Sequence, residues 1–151
     1  MVEFNIRNML SNSSKYALKA VLFLALHTDE NNKMMVKDIS ERIDVPKAYI
    51  AKLLQGLAKR KIISSTKGPK GGFYIDEAKK NEPIIKIIDV IDGKKRFESC
   101  VLSLEDCNKY KPCPLHALIN PSRSQMISLL ESKTIEDLAE DLELNKAFLP
   151  I

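Results

Sequence analysis

Apolar residues along this chain fall in a pattern whose period changes from segment to segment. From Ser13 to Thr28 they are almost continuous: "SNSSKYALKAVLFLALHT" opens on capping residues and is then apolar on nearly every side, as in a buried helix. His27, at the end of that run, reads as structural. The polar loop "DENNK" follows. "MVKDISERI" then sets Val36, Ile39 and Ile43 at helical spacing, which predicts a second helix with one apolar face. "DVPK" interrupts it, because Pro46 suits the first turn of a new helix and disfavours a helical Val45. A third helix, about Lys47 to Lys61, places Ile50, Leu53, Leu54 and Leu57 on one stripe and Lys47, Tyr49, Lys52 and Lys59 on the other face.

The period then changes. "IISSTKGPKGGFYI" has apolar ends around a turn holding three glycines and a proline, which predicts a β-hairpin. "PIIKIIDVIDG" predicts a short helix closed by Gly93. The segment after it has few periodic apolar residues and reads as a loop. "SRSQMISLLES" and "TIEDLAEDLE" predict two more helices, the second begun by a capping box of Thr134 and Asp137. No internal repeat is evident. The expected fold is mainly α with a small β-hairpin wing. Residues 9–80 form a winged helix-turn-helix, and residues 81–151 hold the cysteine loop and dimerisation helices.

Charge sharpens this picture. The chain has 151 residues and a net charge of +4, unevenly placed: residues 1–81 carry 15 basic and 8 acidic residues, and residues 82–151 carry 9 and 12. From Val45 to Ile75 there are seven basic residues and no acidic one. Three helices and a hairpin in this order, with an acid-free second half, suit the phosphate edges of a DNA major groove. Lys47, Tyr49 and Lys52 would face base edges. Lys67, Gly68, Pro69, Lys70 and Gly71 would bring the hairpin tip to the backbone or the minor groove. "KGPKGG" is not a nucleotide phosphate loop, because "GGFYI" runs into a strand rather than opening a helix. No nucleophile–base pair or paired acids appear in a recognisable setting, so no enzyme is expected. "MVEFNIRNML" has no signal-peptide pattern, and the longest apolar run, "YALKAVLFLAL", is too short to span a bilayer. The expected setting is cytoplasmic, with no membrane partner.

"SKYALKAVLFLALH", "VKDISERIDVPKAYIAKLLQGLAKRKIISSTKGPKGGFYI" and "IIKIIDVIDG" resemble the bacterial winged-helix regulators typified by IscR, NsrR and CymR. The resemblance covers roughly residues 9–140, and the "KGPKGGF" wing after the "YIAKLLQGLAK" helix is its most specific part. It implies a homodimer that binds palindromic double-stranded operators, with a long dimerisation helix over about Pro121–Ser132. It aligns the family start with Met9, so that residues 1–8 read as an extension or an alternative start. Two departures stand out. Members that read one operator class through a recognition-helix glutamate have it where Ala51 stands, and the aspartate ligand of NsrR-like members falls at Lys15. CymR-like members act by binding a metabolic enzyme, a further class of partner.

"CVLSLEDCNKYKPCPLH" holds every cysteine of the chain, Cys100, Cys107 and Cys113, and His116, one of two histidines. An odd cysteine count in a reducing compartment points to metal ligands or reactive thiols rather than a disulfide frame. Structural zinc prefers cysteines two to four residues apart, and only Cys113 and His116 have such spacing. The wider steps suit a loop around something larger, an iron–sulfur cluster. A 2Fe–2S cluster needs two protein ligands per iron, which three cysteines and one histidine complete. This also resembles the IscR arrangement. Lys94, Lys95, Arg96, Lys109 and Lys111 are expected to favour thiolates there. Zinc, a thiol switch, an unliganded loop and a 4Fe–4S form held by the three cysteines stay open. A cluster, if present, is expected to be lost readily in air.

Overall fold

The computed structural model describes residues 9–151; the extension or alternative start expected over residues 1–8 lies outside the described residues. The element order is α1 (Asn12–His27), α2 (Val36–Arg42), α3 (Lys47–Lys59), β1 (Ser64–Thr66), β2 (Gly72–Tyr74), α4 (Glu77–Lys80), α5 (Ile84–Asp92), a 3₁₀ turn (Lys94–Phe97), α6 (His116–Ser132) and α7 (Ile135–Glu143). It is mostly helical with one antiparallel hairpin, as its pattern predicts.

Helix α1 is the axis of the core. Ala17, Ala20, Val21, Phe23, Leu24 and Ala25 are buried on several of its sides, which is why no polar stripe interrupts the sequence. Around it pack α3, α5 and α7. Ile50, Leu54 and Leu57 of α3, Ile84 and Ile87 of α5, and Ile135 and Ala139 of α7 all join one cluster with α1. Residues on both sides of position 80 therefore share a single core. Each fully buried aliphatic side chain adds roughly 1.5–3 kcal/mol of apolar burial.

Between α2 and α3 the chain turns at Asp44, which takes a left-handed φ of 52° that aspartate tolerates better than most residues. Pro46 caps α3 from outside, just before Lys47. The wing pairs Ser64 with Tyr74, Ser65 with Phe73 and Thr66 with Gly72. Phe73 is also bonded on its far side: its N–H donates to the Met34 carbonyl at 2.7 Å, and Met34 N–H donates to the Phe73 carbonyl at 2.9 Å.

The capping box of α7 forms as expected: Asp137 N–H donates to Thr134 Oγ1 at 3.1 Å, and Thr134 N–H donates to Asp137 Oδ2 at 2.8 Å. The starts of α5 and α7 are tied by Ile84 N–H to the Lys133 carbonyl and Ile135 N–H to the Glu82 carbonyl. Two short elements have no periodic signal. One is α4, capped by Asp76, and the other is the 3₁₀ turn that buries Phe97.

The long helix departs from expectation. It begins at His116 rather than near Pro121, so Pro121 sits inside it. Proline removes one helical N–H bond; here Ala117, the residue whose carbonyl loses that donor, is exposed and open to water. Helix α6 has no buried residue over its 17 positions. Met126 and Ile127 are half-buried and Leu130 leans on the core, so the outward apolar residues are Leu118, 72% exposed, and Leu129, 54% exposed.

Candidate nucleic-acid interface and cysteine centre

The basic surface follows from the stripe on α3. Ile50, Leu54 and Leu57 fix the helix to the core, so Lys47, Lys52, Gln55 and Lys59 must face outward, and all four are exposed. Lys37 from α2, Lys47 and Gln55 from α3, and Ser65, Thr66 and Lys67 from the wing line one hollow between helix and hairpin. Gln55 carries no charge to mark it in the sequence. Its signal was its place in the same outward register as Lys52 and Lys59.

Tyr49 is placed differently from the lysines. Its hydroxyl lies 2.6 Å from Ser13 Oγ on α1, and its ring meets Tyr16 edge-on with centroids 5.7 Å apart. The residue as a whole stays 37% exposed.

The wing tip contains two kinds of glycine. Gly68 has φ of 103°, and an added Cβ would meet nothing within 4 Å, so it is exposed backbone in a conformation that favours glycine. Gly71 is buried, and an added Cβ would lie 2.2 Å from the Thr66 carbonyl oxygen. Gly71 N–H closes the tip by donating to the Gly68 carbonyl at 2.9 Å. Lys67, Pro69 and Lys70 are exposed around this turn.

The cysteine segment is a loop pinned at its neck. Cys100 N–H donates to the Glu105 carbonyl at 3.0 Å and Cys107 N–H to the Glu98 carbonyl at 2.8 Å. Cys100, Cys107, Cys113 and His116 line one small cavity, closed by Ile119 and Arg123 of α6. One pair is in direct contact: Cys107 Sγ lies 2.9 Å from His116 Nδ1, while Cys100 and Cys113 line the same cavity. The Leu102 and Ser103 N–H groups hold the Cys100 thiol below its usual range, with help from Cys113 and the Arg123 guanidinium and against some burial.

A cation that acts on Cys100 is thus Arg123, from the long helix. Lys95 is 3.4 Å from Asp106, Arg96 is 3.9 Å from Asp92, and Lys109 lies over the Tyr110 ring. Only three-dimensional closeness brings position 123 to position 100. Among the described residues, no group of three or more His, Cys, Asp or Glu side chains stands arranged around a single metal ion. The donor chemistry nonetheless suits iron–sulfur ligation, with three soft sulfurs and an imidazole around one cavity.

The family described as Rrf2, iron-dependent transcriptional regulator, matches residues 10–141. An Aquifex aeolicus protein assigned as an HTH-type transcriptional regulator is 31% identical over 132 residues, covering 86% of this chain and 90% of its own. The HTH-type transcriptional regulator IscR of Xenorhabdus nematophila is 29% identical over 135 residues, covering 89% and 81%. Among solved structures, CymR, the global cysteine regulator of B. subtilis, superposes with a TM-score of 0.69 at 25% identity over 87% of this chain and 95% of its own. Among the described residues, no helix is long and apolar enough to cross a membrane.

Proposed function

Because the chain belongs to the Rrf2 family of iron-dependent transcriptional regulators, a family of DNA-binding regulators rather than enzymes, we propose that it is a cytoplasmic homodimeric repressor whose operator affinity depends on an iron–sulfur cluster, of the 2Fe–2S type, held by Cys100, Cys107, Cys113 and His116. One observation carries this reading: these four side chains, spread over 17 residues of sequence, line a single cavity, with Cys107 Sγ 2.9 Å from His116 Nδ1. When bound, the cluster supplies a centre whose loading follows oxidant, nitric oxide or iron supply.

The chain's own residues do the rest. Lys47 and Lys52 reach base edges from α3. Lys67, Gly68, Pro69 and Lys70 meet the backbone or minor groove, Gly71 sets the shape of that tip, and Tyr49 reaches base edges with the part of its surface that Ser13 and Tyr16 leave open. A helix of 17 residues with none buried, showing Leu118 and Leu129 outward, suits a second copy of itself across a two-fold axis. Two recognition helices then sit about one DNA turn apart on a palindrome.

Anaerobic treatment with ferrous iron and sulfide tests the reading. Stoichiometric uptake of both, visible absorption and a changed operator affinity are expected. Stoichiometric zinc with no retained iron or sulfide overturns it. A thiol switch is the second reading, favoured by Cys100 and Cys113 sharing one cavity, with the Cys100 thiol held below its usual range. In that case peroxide, reduced to water, takes two electrons and two protons from the pair to form a disulfide, and operator affinity changes without iron.

A further inference from the structure

The first turn of α1 is held from two sides. On one side stands Asp92, the last residue of α5. Its carboxylate accepts hydrogen bonds from the Ser11 hydroxyl, from Ser14 Oγ at 2.8 Å and from the Ser11 N–H at 3.4 Å. The Asp92 side chain is only 10% exposed, so these charge-assisted bonds are largely shielded from water. On the other side, Ser13 Oγ lies 2.6 Å from the Tyr49 hydroxyl in the first turn of α3. Ser11 also accepts from Ser14 N–H at 3.0 Å, closing the turn into one unit.

We propose that this turn is a joint through which the cysteine loop sets the pose of the recognition helix, with Asp92 and Ser13 as its positioning residues. The inference rests on the sensing role proposed above for the loop. Asp92 stands at the loop's foot: Gly93 ends α5, the 3₁₀ turn follows, and Cys100 comes three residues after Phe97. Arg96, inside that stem, reaches both Asp92, at 3.9 Å, and the Met9 carbonyl, at 3.5 Å. A shift of the stem therefore pulls on the Asp92 carboxylate, and the carboxylate moves the serine turn. Ser13 lies on the same turn and moves with it.

At the far end, Ile50 is fully buried and fixes one side of α3. A pull on its neighbour Tyr49 then tilts the end of α3 that carries Lys47 and Lys52. Helix stability alone does not require this arrangement, because the Ser11 side chain already caps α1. The Ser13–Tyr49 pair adds no cap. It links α1 to α3.

The test compares full-length wild type, Ser13→Ala and Asp92→Asn, each with and without anaerobic ferrous iron and sulfide. Affinity is measured for operator and for random duplex, together with bound iron and melting temperature. Wild type is expected to change its operator affinity by about tenfold on treatment, a usual size for coupling between sites. Both variants are expected to bind iron and random duplex as wild type does, with the treated and untreated operator affinities converging. Ser13→Ala removes one exposed hydroxyl and keeps the fold, so it decides the matter if Asp92→Asn unfolds. If the variants respond to treatment as strongly as wild type, the joint is wrong and the sensing role stands. If wild type itself does not respond, the sensing role fails and the joint falls with it.

Discussion

Cys107 Sγ and His116 Nδ1 are 2.9 Å apart, so a loop residue and the first residue of α6 meet across one cavity. The two are unequal as donors, because a thiolate is a stronger iron–sulfur ligand than an imidazole. Cys100→Ser, Cys107→Ser and Cys113→Ser should each abolish or severely reduce iron and sulfide retention after anaerobic loading. His116→Ala should be milder and leave a shifted visible spectrum. Iron and sulfide assays on the four variants check this, and equal losses at all four positions would contradict it.

Lys70 and Lys52 should separate positioning from reading. Lys70→Ala is expected to weaken operator and random DNA alike and to reduce the salt slope by about one unit. Lys52→Ala is expected also to lower the ratio of operator to random affinity. Binding titrations over a range of salt concentrations show both effects. Equal losses on the two DNAs for Lys52→Ala would remove its base-reading role.

The glycines predict opposite stability changes. Gly56 lies within α3 with nothing within 4 Å of an added Cβ, so Gly56→Ala should stabilise the chain by about 0.5–1 kcal/mol. Gly71→Ala forces a Cβ against the Thr66 carbonyl and should cost about 1–3 kcal/mol. Urea unfolding of both variants gives the signs directly.

Leu118→Asp and Leu129→Asp should yield folded monomers that lose operator binding, because both side chains face outward from α6. Leu130→Asp tests something else, since Leu130 leans on the core and its loss also destabilises the protomer. Sedimentation at micromolar concentration, with melting curves alongside, distinguishes the two. Wild-type monomers at that concentration would remove the dimer.

Asp76 predicts an acid-side loss of stability. The Lys79 ammonium, hydrogen-bonded to the carboxylate at 2.5 Å, holds Asp76 below the usual carboxylate range, aided by the Lys79 N–H and Ser64 and opposed by burial. A lowered folded-state value means that this stability is fully present above the unfolded value of about 3.9 and is lost as pH falls through the folded value. The amount is small, below about 1 kcal/mol, because the pair is partly solvated. Urea midpoints should fall below about pH 4, and Asp76→Asn should fall less steeply there.

Much of this was legible in the chain because it is local. The α1 to α3 stripes, the wing, the closure of α5 at Gly93 and the Thr134–Asp137 box each depend on neighbours in sequence. The start of α6 was not legible. Pro121 reads as a boundary, yet it sits inside the helix, where Ala117, the residue whose carbonyl loses its donor, is exposed. Arg123 beside Cys100, Asp92 beneath Ser11 and Ser14, and Tyr49 against Ser13 are pairings between distant segments, and no periodicity announces them. The cysteine spacing did mark out four residues that line one cavity.

The paired N–H and carbonyl groups of Met34 and Phe73 have a mechanical meaning for any duplex this protein grips. They rivet the hairpin to the same body that carries α3, and Gly72 keeps the seam tight, since a Cβ there would lie 2.6 Å from the Met34 carbonyl oxygen. On the DNA contacts proposed above, helix and hairpin would act as the two jaws of a caliper whose opening is set before DNA arrives. A duplex whose adjacent grooves do not match that opening would have to deform to enter it, so groove width and flexibility would act as part of the address.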